Sequence, residues 1–442
     1  MLTLSVIGTG YLGATHAAGM AELGFTVVGL DTDAAKIASL ADGRLPFYEP
    51  GLPELLKANL DSGRLRFTTD FMQLADADVH FICVGTPQMK ESNAANLAYV
   101  FAAAKAIAEV AKDGSLIVGK STVPVGTAER LLAEINRINP TLGLAWNPEF
   151  LREGFAVEDT LRPNRMVVGV ADDAAEATLK QVYAKLIAEQ IPWIRSDLRT
   201  AELVKTAANA FLSTKISFIN AMAEVCDAAG ADVTTLAAAI GHDPRIGNRF
   251  LQAGIGFGGG CLSKDLRGFM ARAEELGATE ALDFLSDIDA INLRARNRMI
   301  EFAVMELEGN PVGKKIFVMG AAFKPDSDDV RDSPALVIAD ALSKRGAQIV
   351  IHDPEAIENA KLRYPHLHFA DTVAEAAAAA DLVLHLTEWR EYREIDPSEL
   401  GRLVARRKII DGRNALSATK WQEAGWTYLA LGRPRFEAVD SN

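Results

Sequence analysis

Apolar residues recur along this chain in two rhythms. Short β-branched runs at residues 4–7, 26–30, 79–84 and 115–119 alternate with Ala-rich stretches whose apolar positions fall at helical spacing. That alternation predicts a parallel α/β sheet over a first segment, 1–195. Residues 200–229 are Ala-rich and free of proline, with Leu203, Ala207, Ala210, Phe211, Ile216 and Ile219 at helical intervals. The spacing predicts one long helix opening a central helical domain over 196–300. The last segment, 301–442, repeats the first: a run at 313–320 leads to a glycine, 348–353 ends on Asp353 as 27–31 ends on Asp31, and 381–387 parallels 78–84. The expected fold is α/β, with two Rossmann-like parallel-sheet domains joined by a central helical domain with one long helix.

Composition narrows the function. With 442 residues the chain is too long for one core, and 49% hydrophobic with 24% charged residues is the balance of a soluble enzyme. No uninterrupted apolar run approaches the ~18 residues a membrane helix needs, and residues 1–8 read straight into a strand, so neither insertion nor export is expected. A net charge of −13 argues against a nucleic-acid partner. Cys83, Cys226 and Cys261 form no Cys-x-x-Cys pair and leave an odd count, which indicates neither a zinc site nor a disulfide framework. A cytoplasmic, reducing location fits.

The chemistry-bearing residues cluster in motifs. Gly8-Thr-Gly10-Tyr11-Leu12-Gly13 follows a strand and opens a helix, and Asp31 closes the next strand about 20 residues on. Such glycines let backbone N–H groups meet a pyrophosphate, while an acidic residue binds ribose hydroxyls and repels a 2′-phosphate. The cofactor is therefore expected to be NAD rather than NADP. The second unit has Gly320-Ala-Ala-Phe-Lys324-Pro325 at the corresponding turn, so it is expected to take a different nucleotide. Three polar loops follow strands of the first unit: Val84-Gly-Thr86-Pro87, Lys120-Ser-Thr122-Val-Pro124, and Asn147-Pro-Glu149-Phe150-Leu151-Arg152-Glu153. Any one reads as a solvated loop; three at the edge of a cofactor sheet read as a site.

On the long helix, Glu202, Lys205 and Asn209 share a face. The plainer alternative is an exposed lysine paired with Glu202. The stretch Gly254-Ile-Gly256-Phe-Gly258-Gly-Gly-Cys261-Leu-Ser-Lys264-Asp265 could be a linker. A linker, however, rarely ends on a cysteine followed by Lys and Asp before a helical pattern, and Lys264 near the cysteine favours its thiolate. Cys261 is the expected nucleophile, and Cys83 and Cys226 are expected in the core.

Taken together, the chain resembles the UDP-glucose/GDP-mannose 6-dehydrogenase family over nearly its whole length. The resemblance rests on the motifs above with Lys205-x-x-x-Asn209, Phe323-Lys-Pro325, Asp329-Val-Arg331 and Asp411-Gly-Arg-Asn414. It implies an NAD-binding domain, a helical dimerisation domain and a domain holding the nucleotide of a sugar. The implied activity is four-electron oxidation of a C6 alcohol, on UDP-glucose before GDP-mannose or UDP-N-acetylmannosamine, through a thiohemiacetal and thioester on Cys261. Lys205 and Asn209 are then the oxyanion-stabilising and substrate-holding groups. Asp265 and Thr122 order a water, and Glu149 serves thioester hydrolysis.

The implied substrate contacts run through Glu149, Phe150, Leu151, Arg152 and Glu153, with Phe250, Leu251, Gln252, Ala253, Gly254, Gly258, Lys324 and Arg413. Implied cofactor contacts are Lys36, Thr86, Thr122, Glu153, Lys264 and Arg331, beside Asp31 and the loop of Gly8, Gly10, Tyr11, Leu12 and Gly13. Arg245 resembles an arginine that reaches the partner subunit's sugar, which implies a homodimer or higher homo-oligomer. Leu262-Ser263 and Asn96 depart from the family's usual residues at positions without a catalytic role. A two-electron hydroxyacid dehydrogenase would leave the third segment and Cys261 unexplained. A non-catalytic nucleotide-sugar sensor would not need Cys261 and Lys205.

The acidic residue at 31 makes a direct test. NAD should be strongly preferred to NADP, and Asp31→Ala or Asp31→Ser should relax that preference. Equal kcat/KM for both cofactors in the unaltered protein would rule the assignment out.

Overall fold

A computed structural model describes residues 2–435. The chain packs as two compact units, one built from the chain up to Ala208 with Arg267–Ala278, the other from Asn209–Leu266 with the chain from Thr279 onward. No helix of the described residues is long and apolar enough to cross a membrane.

The first unit holds an eight-stranded sheet of β1 (Thr3–Ile7), β2 (Thr26–Leu30), β3 (Leu65–Thr68), β4 (Val79–Ile82), β5 (Leu116–Gly119), β6 (Gly143–Trp146), β7 (Met166–Val170) and β8 (Trp193–Ser196). Their order is β3-β2-β1-β4-β5-β6-β7-β8. The strands alternate between two cores. Val27, Phe81 and Val118 feed one, and their neighbours Val28, Ile82 and Ile117 feed the other. A sheet covered on both faces needs this near-continuous apolar run.

Two details differ from the sequence reading. The run at 79–84 pairs only as far as Ile82, so Cys83 stands just past the strand end, still buried. The sheet is parallel except at one seam, where β6 and β7 pair antiparallel, Ala145 with Val170 and Trp146 with Gly169. An antiparallel neighbour needs no crossover. The chain between them, including the short helix Ala156–Leu161, therefore stays at the edge where β6 ends.

In the second unit β9 (Lys315–Met319), β10 (Gln348–His352), β11 (His368–Phe369), β12 (Leu382–His385), β13 (Lys408–Asp411) and β14 (Thr427–Ala430) form a parallel sheet ordered β11-β10-β9-β12-β13-β14. This repeats the first six positions of the other sheet, with the order reversing between β9 and β12 as it does between β1 and β4. The long helix spans Leu198–Ala229, 32 residues, and contributes to both units.

One contact sets the ends of the middle strands. Gly119 pairs with Trp146, and a Cβ on Gly119 would lie 2.1 Å from the indole ring. Trp146 is fully buried and cannot retreat. Gly119→Ala should therefore destabilise the protein by about 1–3 kcal/mol through overpacking, read as a lower thermal midpoint. An unchanged midpoint would show that the indole has room to move.

Candidate active site

At the carboxyl edge of the first sheet, the turn after β1 is shaped to receive a dinucleotide. A Cβ on Gly13 would stand 1.8 Å from Gly8 O, so the helix Tyr11–Glu22 can start against the strand end only with glycine there, while the backbone at Gly10 faces open space. Asp31 directly follows β2 and accepts from Thr9 N (2.9 Å) and Lys36 Nζ (2.8 Å). Burial pushes the Asp31 carboxyl up, but Lys36 and the N–H groups of Asp33 and Thr9 outweigh it and hold the carboxyl below its ordinary value. An ionised carboxylate beside an open, glycine-lined turn fits the two ribose hydroxyls and pyrophosphate of NAD.

The hydroxyl of Tyr11 donates to Glu49, which is 2% exposed and also accepts from Gly154 N (2.6 Å) and Ala156 N (2.7 Å). Glu49 thus ties the chain around Glu153 to the dinucleotide turn. The neighbouring loops are joined the same way: Thr86 Oγ1 donates to Thr122 O (2.8 Å) and Ser121 Oγ to Val84 O (2.7 Å).

Lys205 is not an exposed helix lysine. Its side chain is 7% exposed and its Nζ lies 3.1 Å from Glu149 Oε1, while Glu149 Oε2 accepts from Leu151 N (2.6 Å). Glu202 does not pair with it. Its carboxylate accepts from Gly126 N and Ala128 N, both at 2.6 Å, capping the helix Thr127–Ile138. Burial pushes Glu202 up to about 7 against the pull of those N–H groups. The ring of Phe150 carries Lys205 Nζ at 5.4 Å and the Arg165 guanidinium at 3.9 Å from its centroid. Arg152 is engaged by Asp159, with Nη2 2.6 Å from Oδ1.

In the second unit the glycine-rich stretch is packed against its surroundings, unlike a linker. A Cβ on Gly258 would come within 2.3 Å of Asp332 O, and one on Gly260 within 2.4 Å of the Arg331 guanidinium carbon. From the helix Phe284–Glu306, Asn292 clasps both the N–H (2.8 Å) and the carbonyl (3.1 Å) of Phe257, and Arg296 donates to the same carbonyl and to Asp332. Cys261 is exposed and stands immediately before the helix Leu262–Glu275, whose first turn closes with Asp265 N on Cys261 O (2.8 Å). Asp265 is buried, accepting from Asn209 Nδ2 (2.7 Å) on one oxygen and Lys264 Nζ (2.6 Å) on the other. Ser263 donates to Asp332 (2.7 Å).

Other candidates fall on the same unit. Phe250 takes a left-handed φ of 63°, Gln252 donates to Arg413 O (3.0 Å), and Gly254 N donates to Asn220 (2.8 Å), with Leu251 and Ala253 buried between them. Arg413 donates to Leu386 O, Gly256 O and Phe323 O, so it cross-links three loops, one of which leads to Lys324. Its own turn is fixed by buried Asp411, which accepts from His385, Tyr428 and three backbone N–H groups. The Arg245 side chain is 87% exposed and pairs locally with Asp243.

The two sheets also differ where they look most alike. Asp353 holds the position of Asp31, yet it is 1% exposed and accepts from Ala321 N, Ala322 N, Glu355 N, Ala356 N and Trp389 Nε1. Those donors leave no capacity for a ribose.

Comparison with known proteins agrees with this geometry. Models of the UDP-glucose/GDP-mannose dehydrogenase family match in order: its NAD binding domain at residues 2–187, its central domain at 199–294 and its UDP binding domain at 317–418. A UDP-glucose 6-dehydrogenase of Rhizobium meliloti (strain 1021) is 40% identical over 438 residues, 98% of this chain and 100% of the relative. UDP-glucose 6-dehydrogenase YwqF of Bacillus subtilis (strain 168) is 39% identical over 437 residues, 98% of each. A solved UDP-glucose dehydrogenase from the hyperthermophilic archaeon Pyrobaculum islandicum superposes with a TM-score of 0.90 at 36% identity, over 98% of each chain. With three domains of one family matched in sequence order and full-length relatives at this identity, the chain belongs to the UDP-glucose/GDP-mannose dehydrogenase family and is an NAD-dependent nucleotide-sugar dehydrogenase.

Proposed function

We propose that the protein oxidises the C6 alcohol of UDP-glucose to the carboxylate of UDP-glucuronate, through a covalent intermediate on Cys261. The observation that carries the covalent step is an exposed cysteine at the N-terminus of a 14-residue helix. The positive end of the helix dipole favours an anionic sulfur there, and later an oxyanion beside it. The choice of sugar is supported by relatives at 39–40% identity that are named for UDP-glucose.

NAD, when bound, accepts a hydride at each of two oxidations. Lys205, or a water held by Asp265 and Thr122, takes the C6 hydroxyl proton as the first hydride leaves. The Cys261 thiolate then adds to the aldehyde carbon, and the Lys205 ammonium and Asn209 amide stabilise the thiohemiacetal oxyanion. Loss of the second hydride leaves a thioester. Water activated by the Glu149 carboxylate attacks the acyl carbon, the C–S bond breaks and the thiol is restored. The balance is one alcohol, two NAD and one water giving one carboxylate, two NADH and three protons.

The proposed division of contacts follows the two units. Gly8, Gly10, Tyr11, Leu12, Gly13, Asp31, Lys36, Thr86, Thr122 and Glu153 serve the cofactor, with Lys264 and Arg331. The residues from Phe250 to Gly254, with Gly258, Lys324 and Arg413, serve the sugar nucleotide beside the segment from Glu149 to Glu153. A homodimer belongs to the same reading. The long helix exposes Phe211 (67%), Phe218 (47%) and Val225 (57%) at seven-residue steps, an apolar stripe of the kind a second copy of the same helix covers. The solvent-facing Arg245 is then available to the partner subunit's sugar.

The stoichiometry tests the proposal. The protein should form two NADH per UDP-glucose consumed, and Cys261→Ser should trap an acyl-enzyme visible as added nucleotide-sugar mass, because an oxygen ester is far less labile than a thioester. One NADH per sugar, or near-normal acid production by Cys261→Ala, would replace the thioester route with a simple two-electron oxidation.

A further inference from the structure

The chemistry above leaves one buried charge without a task. Lys120 follows Gly119 at the end of β5, is 7% exposed and makes no ion pair among the described residues. A buried ammonium costs several kcal/mol unless its surroundings compensate. Here the compensation is a neutral side chain: Lys120 Nζ donates to Asn147 Oδ1 at 2.9 Å, with Asn147 O at 3.4 Å.

Asn147 is a junction. Its Oδ1 also accepts from Tyr183 Oη (2.7 Å) and its Nδ2 donates to Val167 O (2.8 Å), so one amide binds the ends of β5 and β6 to β7 and to buried Tyr183. Two residues later stands Glu149, facing Lys205. The titratable groups around Lys120 are Cys83, His16, Glu149, Lys205 and Tyr183, whose hydroxyl burial keeps protonated. Burial pulls Lys120 down to about 8, pushes Cys83 up to about 12 and holds His16 well below its ordinary value. At neutral pH Cys83 and His16 are therefore uncharged, and Lys120 is a buried cation near enough to Glu149 and Lys205 to feel the charge of both.

We infer that Lys120 is a positioning residue for the hydrolytic half of the reaction: by gripping Asn147 it fixes the segment 147–149 and so aims the Glu149 carboxylate. The inference rests on the proposal that Glu149 activates the water that cleaves the thioester. In that step the water oxygen bonds to the acyl carbon, the C–S bond breaks, and a water proton passes to Glu149 and on to the departing sulfur. A carboxylate displaced by about 1 Å slows such a step on the order of 10²-fold without touching either hydride transfer.

The test compares Lys120→Met, Tyr183→Phe and Glu149→Gln in the full-length protein with UDP-glucose and NAD. Lys120→Met should keep a first-turnover burst of NADH and unchanged KM for both substrates, then turn over at least about tenfold more slowly while acyl-enzyme builds up in the intact mass. A merely structural role would lower the active fraction without accumulating acyl-enzyme. If Lys120→Met does not fold, Tyr183→Phe, which removes the other donor from the same Asn147 oxygen, should show the same signature more weakly. Acyl-enzyme in Glu149→Gln but in neither of the other two variants overturns the inference and leaves the proposed function standing. Its absence from all three overturns both.

Discussion

The van der Waals contact between the Trp146 indole and the bare Cα of Gly119 sets the ends of the two strands from which most of the polar chemistry of the first unit emerges. Lys120, Ser121 and Thr122 leave one strand, and Asn147 and Glu149 leave the other. Once those ends are locked in register, the Lys120–Asn147–Tyr183 network can form inside the protein, where its hydrogen bonds are strong and its loss is costly. The third side of the same edge is set by β7. A Cβ on Gly169 would lie 2.6 Å from Ala201 Cβ, so the long helix seats directly on the strand and delivers Glu202 and Lys205 inward. The antiparallel seam at β6–β7 keeps the intervening chain at the edge where ligands of open sheets bind.

The two sheets show how one architecture is turned to two uses. In both an aspartate directly follows the second strand, but Asp31 spends part of its capacity on two backbone N–H groups and one lysine, while Asp353 is saturated by four backbone N–H groups and an indole. A carboxylate that keeps spare accepting capacity in one unit is fully engaged by the backbone and an indole in the other. Arg413 tells a similar story in reverse. The family resemblance implies a ligand contact there, and the structure gives its guanidinium three carbonyl acceptors, so its positive charge sits at a junction of loops.

The sequence made legible whatever depends on local pattern. Strands at 4–7 and 26–30, the long helix, the glycine turn with Asp31, and the packed loop ending at Cys261 follow from periodicity and from residues with few conformational alternatives. What it did not show depends on partners far apart in the chain. Glu202 and Lys205 lie three residues apart and suggest a pair, but Glu202 caps a helix some 75 residues away and Lys205 meets Glu149. Glu49, in Tyr48-Glu49-Pro50-Gly51, carries no signal beyond a polar residue in a turn, yet it is buried and binds the chain at Gly154 and Ala156. Asn292 and Arg296 belong to no motif singled out in the sequence, and only the fold reveals that they grip the backbone of Phe257.

In the proposed mechanism, Cys261 before its helix holds the intermediate and Glu149, buried beside Lys205, releases it. The proposed four-electron route turns on retention of the intermediate, since an aldehyde that escapes is oxidised only once per binding event. Turnover of UDP-glucose and NAD in the presence of semicarbazide, with chromatographic detection of the C6 semicarbazone, measures escape directly. If the aldehyde is captured by Cys261 as it forms, the carboxylate appears with no semicarbazone at any reagent concentration that leaves the protein active. Semicarbazone rising in proportion to NADH would show that the aldehyde leaves after the first hydride and would contradict a covalent route.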